Sequence, residues 1–402
     1  MVRAMGTRWQ VAELMRRIDE SDPARLSTVL TEYLAESLDA RWASLLLVDY
    51  EQATLERLDE HTPGRSVESV RLDDSRLGAA YRTQSTEVVE RSDGLLVRVP
   101  VTLRADRLGM LEVLLPPATD RGVLVPVAEA AHLLAYVLVA ADRYTDRYER
   151  VRRRQPLLLA AEMQWQLLPA LAVRRPDFAL AGRIFPAYAV GGDNFDHVSE
   201  GSSLVLGITD AMGHGLRASI LTAVTVNAVR NARRGGATIA EQLTTADSVV
   251  RAQFGGTQFV TSLLMHLDLD TGRVAAVVAG HPPPLLVREG QVEPVQLEAQ
   301  LPIGLDDDPN YHPQRFDLAP GDRLVLVSDG VLEAQRSPQE EYGDARLTEM
   351  LLATRNEAPQ ETARLLLADM ACWQAGISPR DDATVLCLDY RPADRQREPT
   401  GG

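Results

Sequence analysis

The chain runs to 402 residues, 45% hydrophobic and 25% charged, the proportions of an ordinary globular protein of two or three domains. Its net charge of −15, with no basic block to offset it, argues against a nucleic-acid partner and against an electrostatic membrane anchor. Every basic residue is an arginine, which sets aside P-loop NTPases, ordinary protein kinases and Schiff-base enzymes, whose chemistry needs a lysine.

Residues 1–10 lack the apolar core of a signal peptide, and the longest apolar run, 133–141, is too short to cross a bilayer. The expected location is cytoplasmic, and Cys372 and Cys387, in apolar surroundings, read as buried reduced thiols. Residues 9–37 carry helical periodicity, with Leu26, Val29, Leu30, Tyr33, Leu34 and Leu38 recurring at steps of three and four. Strands are predicted at 43–50, 95–101 and 107–115. Together with a closing helix they make a small α+β domain. From 125 to 168 the pattern is helical, and Val137, Ala141, Tyr144, Tyr148, Val151, Gln155, Leu158, Glu162 and Trp165 follow heptad spacing. Two readings stay open: a signalling helix that pairs across a homodimer, or a single amphipathic connector. Pro156 predicts a kink or break, and a domain boundary, near itself.

Beyond Phe178 the chain turns to short strands separated by Gly, Pro and Asp. The stretches 261–268 and 273–279 flank Leu269-Asp270-Thr271-Gly272, a hairpin signal. Further strands are predicted at 204–209, 285–287, 292–297, 323–328 and 383–390, with helices at 216–233 and 360–375. The polar tail from Pro392 reads as disordered.

Acidic motifs stand at the edges of these strands: Gly191-Gly192-Asp193, Asp210-Ala211-Met212-Gly213-His214-Gly215, Ser328-Asp329-Gly330 and Arg380-Asp381-Asp382. An Asp-Gly pair alone is usually only a turn, and Asp381-Asp382 alone could be a cap. A set of them in one domain is a different matter. Carboxylates gathered without basic partners repel one another unless a cation joins them, and hard divalent ions take oxygen ligands of this kind. The strand over 204–209 delivers Asp210 to a sheet end. Gly213 and Gly215 permit a tight turn behind it, which frees the Ala211 carbonyl as a ligand. If 323–328 and 383–390 are antiparallel neighbours, Asp329 and Asp381 meet at one edge. Alternation puts Asp193 and Asp196 on opposite faces, so Asp193 is the one assigned to the site. Asp193, Asp210, Asp329 and Asp381 would then balance two divalent ions, which can activate a bridging water for in-line attack on a phosphoryl group.

The whole set resembles the metal-dependent Ser/Thr protein phosphatases of the 2C type, the PPM family, and most of all their sporulation stage II E and stress-response branch. The matching stretches are Pro186 through Asp193, Thr209 through Gly215, Ala279-Gly280-His281-Pro282-Pro283-Pro284, Leu326 through Gly330, and Asp381 through Thr384. The resemblance implies two sheets packed between helices, an αββα sandwich, and a requirement for Mn²⁺ or Mg²⁺. By resemblance, Asp210 bridges both ions and the Ala211 carbonyl supports one. Asp193 serves the second ion and Asp329 and Asp381 the first, with Asp382 as a neighbouring ligand. The run Glu162 through Pro169 resembles the helix that opens these domains and is thought to switch metal-site assembly. Arg183 is a weak phosphate-binding candidate, His281 reads as structural, and His214 as either a leaving-group acid or a loop-fixing residue.

The first part of the chain resembles a GAF sensor domain, with Trp42 and Tyr81 expected in its core. The resulting organisation is a lead over 1–20, a sensor over 21–142, a helical linker and switch helix over 143–170, the phosphatase domain over 171–391 and a tail over 392–402. The expected function is dephosphorylation of phosphoserine or phosphothreonine on a regulatory protein, a STAS-type anti-anti-sigma factor by family inference, under control of the sensor's unidentified signal. The alternatives are a non-enzymatic scaffold, which loss of any motif Asp would favour, and a small-molecule phosphohydrolase.

Overall fold

The computed structural model describes residues 9–58, 69–117, 119–188, 191–305, 308–374, 376–377, 379 and 381–392. The predicted disordered tail lies outside these residues except for Pro392, as do Ala189, Val190 and Arg380 of the motifs. The chain forms two compact units that divide between Pro156 and Leu157.

The first unit is a six-stranded antiparallel sheet with helices on both faces. Its elements are α1 (Val11–Asp19), α2 (Leu26–Leu38), β1 (Trp42–Val48), β2 (Thr54–Arg57), β3 (Ser69–Arg71), α3 (Arg76–Thr83), β4 (Glu87–Arg91), β5 (Gly94–Leu103), β6 (Asp106–Leu115), α4 (Leu124–Ala141) and α5 (Arg147–Arg152). The strand order is β3-β2-β1-β6-β5-β4. Alternation along the strands sorts the side chains. Leu45, Leu47, Val97, Val99, Leu111 and Val113 join Leu14, Leu30, Leu34, Leu134 and Tyr148 in one core. Leu46, Val48, Leu55 and Met110 meet Leu77 and Tyr81 of α3 on the other face. Tyr81 is buried, as expected, and Trp42 is half-buried. Helix α1, which lies before residue 21, is part of this unit, because its Leu14 is fully buried in the core.

The helical stretch expected over 125–168 with a kink or break near Pro156 is three helices, so the heptad seam is interrupted near Pro156 and also between α4 and α5. After α4 the Thr145 hydroxyl accepts the Arg147 amide and starts α5 afresh. After α5, Arg153 is extended, and Pro156 can neither continue a helix nor leave its predecessor helical. Tyr148 of the seam is turned into its own unit, where its hydroxyl donates to the Pro23 carbonyl. The predicted absence of a membrane-length helix also needs correction. With its preceding turn, α4 is 21 residues long and apolar enough to cross a bilayer. Its Val127, Ala130, Ala131, Leu134, Ala135 and Leu138 are nevertheless buried against the sheet, the pattern of a core helix.

The second unit comprises α6 (Leu159–Leu167), β7 (Ala172–Arg174), β8 (Phe178–Phe185), β9 (Asp193–Glu200), β10 (Ser203–Ala211), α7 (Leu216–Arg234), α8 (Ile239–Phe254), β11 (Val260–Asp268), β12 (Arg273–Ala279), β13 (Leu285–Arg288), β14 (Gln291–Pro294), β15 (Gln314–Asp317), β16 (Arg323–Val327), α9 (Asp329–Leu332), β17 (Gln335–Ser337), β18 (Glu340–Glu341), α10 (Gly343–Ala353), α11 (Pro359–Trp373) and β19 (Ala383–Tyr390). Two antiparallel sheets, β15-β12-β11-β10-β9 and β14-β13-β16-β19-β8-β7, face each other. Phe178, Phe195, Leu206, Ile208, Met265, Leu326 and Leu386 fill the space between them. Helices α7 and α8 cover the outer face of the first sheet through Leu221, Leu243 and Val250. Helices α10 and α11 cover the second through Leu347, Leu351 and Leu366. Of the cysteines, Cys387 is buried in this last layer, where burial pushes its thiol up to about 12. Cys372 is exposed, contrary to expectation, on the solvent side of α11.

Candidate active site

The site grows out of strand register. Pairing of β9 with β10 sets Asp193 directly opposite Asp210, an arrangement that places both carboxyl groups on the same face and is unfavourable for like charges. Pairing of β16 with β19 sets Val327 opposite Val385, so the end of one strand lies beside the start of the other, as predicted. Asp329 leaves β16 there and Asp381 enters β19. The glycine of Ser328-Asp329-Gly330 is required by that approach, since a Cβ on Gly330 would overlap the Asp382 carbonyl. Gly213 and Gly215 take positive φ values of 85° and 73°, which lets the chain turn from β10 into α7.

No salt bridge reaches Asp193, Asp210, Asp329 or Asp381 among the described residues. Burial, then the charges of Asp329 and Asp381, push Asp210 up to about 8. Burial, then Asp210 and Asp382, push Asp193 well above the usual carboxylate range. Burial raises Asp381 too, with Asp329 adding to the effect and the exposed His214 opposing it. Asp196 is the contrast. It points to the other face, where burial works against ionisation but Arg230 and Arg233, 2.8 and 2.9 Å away, hold it below the ordinary value. Among the described residues no three His, Cys, Asp or Glu close into a ready-made metal cage. The carboxylates stand at one edge of the two sheets. Among the described residues, two buried oxygens, Asp193 Oδ2 and Asp382 Oδ1, have no hydrogen-bond partner. An all-oxygen set with orphaned acceptors and no arginine fits hard divalent cations.

The Gly191-Gly192-Asp193 segment is fixed by Asp382, by Gln164 and by two hydroxyls of α7 that the sequence reading did not single out. The Asp382 carboxylate accepts the amides of Gly192 and Asp193 at 2.7 and 3.2 Å. Gln164 of α6, 4% exposed, donates to the same oxygen at 2.8 Å and to the Asp193 carbonyl at 2.9 Å. From α7, the Ser219 hydroxyl donates to the Gly191 carbonyl at 2.5 Å and that of Thr222 to the Gly192 carbonyl. Gly191 leaves no room for a side chain, and at Gly192 one would be crowded. A Cβ on Gly191 would collide with Ser219 and the Ala160 carbonyl, and one on Gly192 would sit 3.1 Å from the Ala211 carbonyl oxygen. Ser328 donates to the Asp382 carbonyl at 3.4 Å and accepts the Thr384 amide at 2.9 Å, tying β16 to β19 at the same edge. Ser219 and Thr222 were visible in principle, as hydroxyls three residues apart on the apolar stripe of a helix.

Asp382 was expected beside the metal ligands, and its Oδ2 is committed to the three donors above. His281 is buried, with its Nδ1 3.0 Å from the Pro282 carbonyl, and burial lowers it to about 4. Arg183 lies half-buried on β8 opposite Val385.

A family model described as stage II sporulation protein E (SpoIIE) matches residues 200–391, a stretch that Asp193 just precedes. Phosphoserine phosphatase RsbU of Bacillus subtilis (strain 168) is 24% identical over 206 residues, covering 50% of this chain and 61% of that protein. Stage II sporulation protein E of the same organism is 26% identical over 200 residues, covering 50% of this chain and 24% of that protein. The chain thus spans less than two thirds of either relative. The solved SiaA-PP2C domain of Pseudomonas aeruginosa aligns with a TM-score of 0.49 at 22% identity, over 57% of this chain and 94% of that one. Over residues 200–391 of its second unit the chain is similar to SpoIIE-type bacterial phosphatase domains.

Proposed function

We propose that the protein is a metal-dependent protein serine/threonine phosphatase acting on a phosphorylated regulatory protein in the cytoplasm, under control of its first unit as a GAF-like sensor. The observation that carries the reading is the apposition of Asp193 with Asp210 and of Asp329 with Asp381, without a salt-bridge partner among the described residues, in a SpoIIE-type domain. Asp193, Asp210, Asp329, Asp381 and the Ala211 carbonyl would hold two Mn²⁺ or Mg²⁺ ions, which when bound supply an activated water and a clamp on the phosphoryl oxygens. Asp382 is a positioning residue in this scheme. Through the Gly192 and Asp193 amides it sets where the Asp193 side chain starts, while Ser219 and Thr222 hold the carbonyls on the other side of the same peptides. Gln164 extends this control to α6, which supports the reading of α6 as a switch on site assembly. The substrate is a phosphoprotein of the STAS-type anti-anti-sigma class, by analogy with the phosphoserine phosphatase it resembles.

The test is hydrolysis of p-nitrophenyl phosphate and of a phosphoserine peptide, with Mn²⁺ or with EDTA, by wild type and Asp210→Asn. Metal-dependent turnover should disappear in the variant, together with the rise in melting temperature that Mn²⁺ gives the wild type. In EDTA the variant should be no less stable, because it loses a repelling charge. Turnover that survives in EDTA, or in Asp210→Asn, would refute the two-metal reading.

A further inference from the structure

The space between the two sheets of the second unit is apolar along most of its length and turns polar at the metal edge. Strand alternation fixes what meets there. On β19, Thr384 shares its face with Leu386 and Leu388 of the inter-sheet core and stands opposite Ile184 of β8, another residue of that core. On β9, Asp193 shares its face with Phe195, also of that core. Asp193 and Thr384 are therefore the first residues of two inward-facing rows, one on each sheet. Asp382, two residues before Thr384, already bridges the gap between them, because its Oδ2 accepts the Asp193 amide at 3.2 Å.

Two unsatisfied groups face each other at this point. Thr384 is fully buried, and its hydroxyl has no hydrogen-bond partner among the described residues. Asp193 is 1% exposed, and its Oδ2 has none either. The nearby hydroxyl of Ser328 differs, since it accepts the Thr384 amide and donates to the Asp382 carbonyl. Burial and the charges of Asp210 and Asp382 work against an ionised Asp193, and the hydroxyls of Ser328 and Thr384 work for it. Thr384 thus stands within electrostatic reach of Asp193 without being bonded to it. A buried hydroxyl left over is costly to the fold, so its retention needs a use. A carboxylate that binds a cation keeps further acceptor sites, and ligating carboxylates are hydrogen-bonded in turn by the groups behind them.

Resting on the two-ion reading of the site, we propose that Thr384 is a positioning residue for Asp193: its hydroxyl, delivered from the opposite sheet, donates to the Asp193 carboxylate and fixes the orientation in which that carboxylate meets a divalent cation. The hydroxyl then burdens the fold and helps the cation site. Those two effects have opposite signs, which separates this role from simple packing.

The experiment uses the full-length protein and reads melting temperature in EDTA and across a Mn²⁺ series, with p-nitrophenyl phosphate hydrolysis alongside. Thr384→Val keeps the shape of the side chain and removes the hydroxyl. It should melt in EDTA at or above the wild-type temperature. The Mn²⁺ concentration that gives half of the melting shift, and half-activation, should rise about tenfold. Thr384→Ser keeps the hydroxyl and leaves a methyl-sized gap. It should melt lower in EDTA, with its Mn²⁺ requirement within about threefold of wild type. A Thr384→Val protein that needs no more Mn²⁺ than wild type overturns this inference and leaves the phosphatase reading standing. One that melts below wild type in EDTA overturns it too, because the hydroxyl would then serve the fold itself. A Thr384→Ser protein that loses Mn²⁺ as Thr384→Val does also overturns it, in favour of packing. A wild type that gains neither melting temperature nor turnover from Mn²⁺ overturns both readings.

Discussion

Replacing Gln164 with leucine removes one side chain from α6 and should be felt at the metal edge. The amide makes one bond to a neutral carbonyl, that of Asp193 at 2.9 Å, and one to a carboxylate, that of Asp382 at 2.8 Å. The first contributes about 1 kcal/mol and the second about 1.5–3 kcal/mol, so Gln164→Leu should cost about 3 kcal/mol of unfolding free energy. The Asp382 oxygen keeps its two amide donors, so the segment loosens without losing its anchor. A support of this kind, one step behind the ligands, typically alters metal affinity 10–100-fold. The assay is urea unfolding in EDTA together with half-activation by Mn²⁺ in p-nitrophenyl phosphate hydrolysis. Both should shift, with kcat at saturating Mn²⁺ less affected than half-activation. A variant whose unfolding free energy stays within about 0.5 kcal/mol of wild type and whose Mn²⁺ half-activation is unchanged would refute the argument, because the α6 contact would then carry no weight at the site.

Gly330→Ala forces a Cβ into the Asp382 carbonyl and should cost at least about 2 kcal/mol while depressing activity at every Mn²⁺ concentration; unchanged melting and turnover would show that the β16–β19 edge tolerates a side chain there. Buried His281 stays neutral down to about 4, whereas in the unfolded chain it takes up a proton near 6.5. Its contribution is therefore full above pH 6.5 and is lost as pH falls towards 4, by at most about 3 kcal/mol, so His281→Gln should lose less stability than wild type between pH 7.5 and 4.5, and parallel losses would exclude His281 as the source.

Much of this architecture is readable in the chain because it is written in local pattern. Strand alternation and turn residues place β10, β11, β12, β16 and β19 within a residue or two, and the edge meeting of Asp329 and Asp381 follows from one antiparallel pairing. What pattern could not give was partnership. That Asp193 stands opposite Asp210 depends on the β9–β10 register, and that Gln164 reaches Asp382 depends on contact across 218 residues of sequence. The heptad spacing of 137–165 is broken at Pro156, where the sequence predicted it, and also between Ala141 and Arg147, which spacing alone did not reveal. Helix α8 escaped notice although its capping box, Thr238 with Glu241, was present to be read.

The stabilising and destabilising parts of the site divide cleanly between chain segments. Helix α7 holds the Gly191 and Gly192 carbonyls through buried hydroxyls, and Asp382 with Gln164 holds the following amides. The carbonyls of Gly191 and Gly192 and the amides of Gly192 and Asp193 are thereby tied down before any cation is considered. Against this, Asp193, Asp210, Asp329 and Asp381 stand at one edge with no salt bridge among the described residues, and burial makes the ionisation of Asp193, Asp210 and Asp381 harder. Such repulsion would open a weakly held edge, and here it is opposed by strand pairing on one side and by the anchored turn on the other. The anchor reaches α6, the first element after the boundary at Pro156. In the function proposed above, a small displacement of α6 would therefore act on the Asp193 segment through Gln164, and a signal could change whether cations assemble without touching a ligand itself.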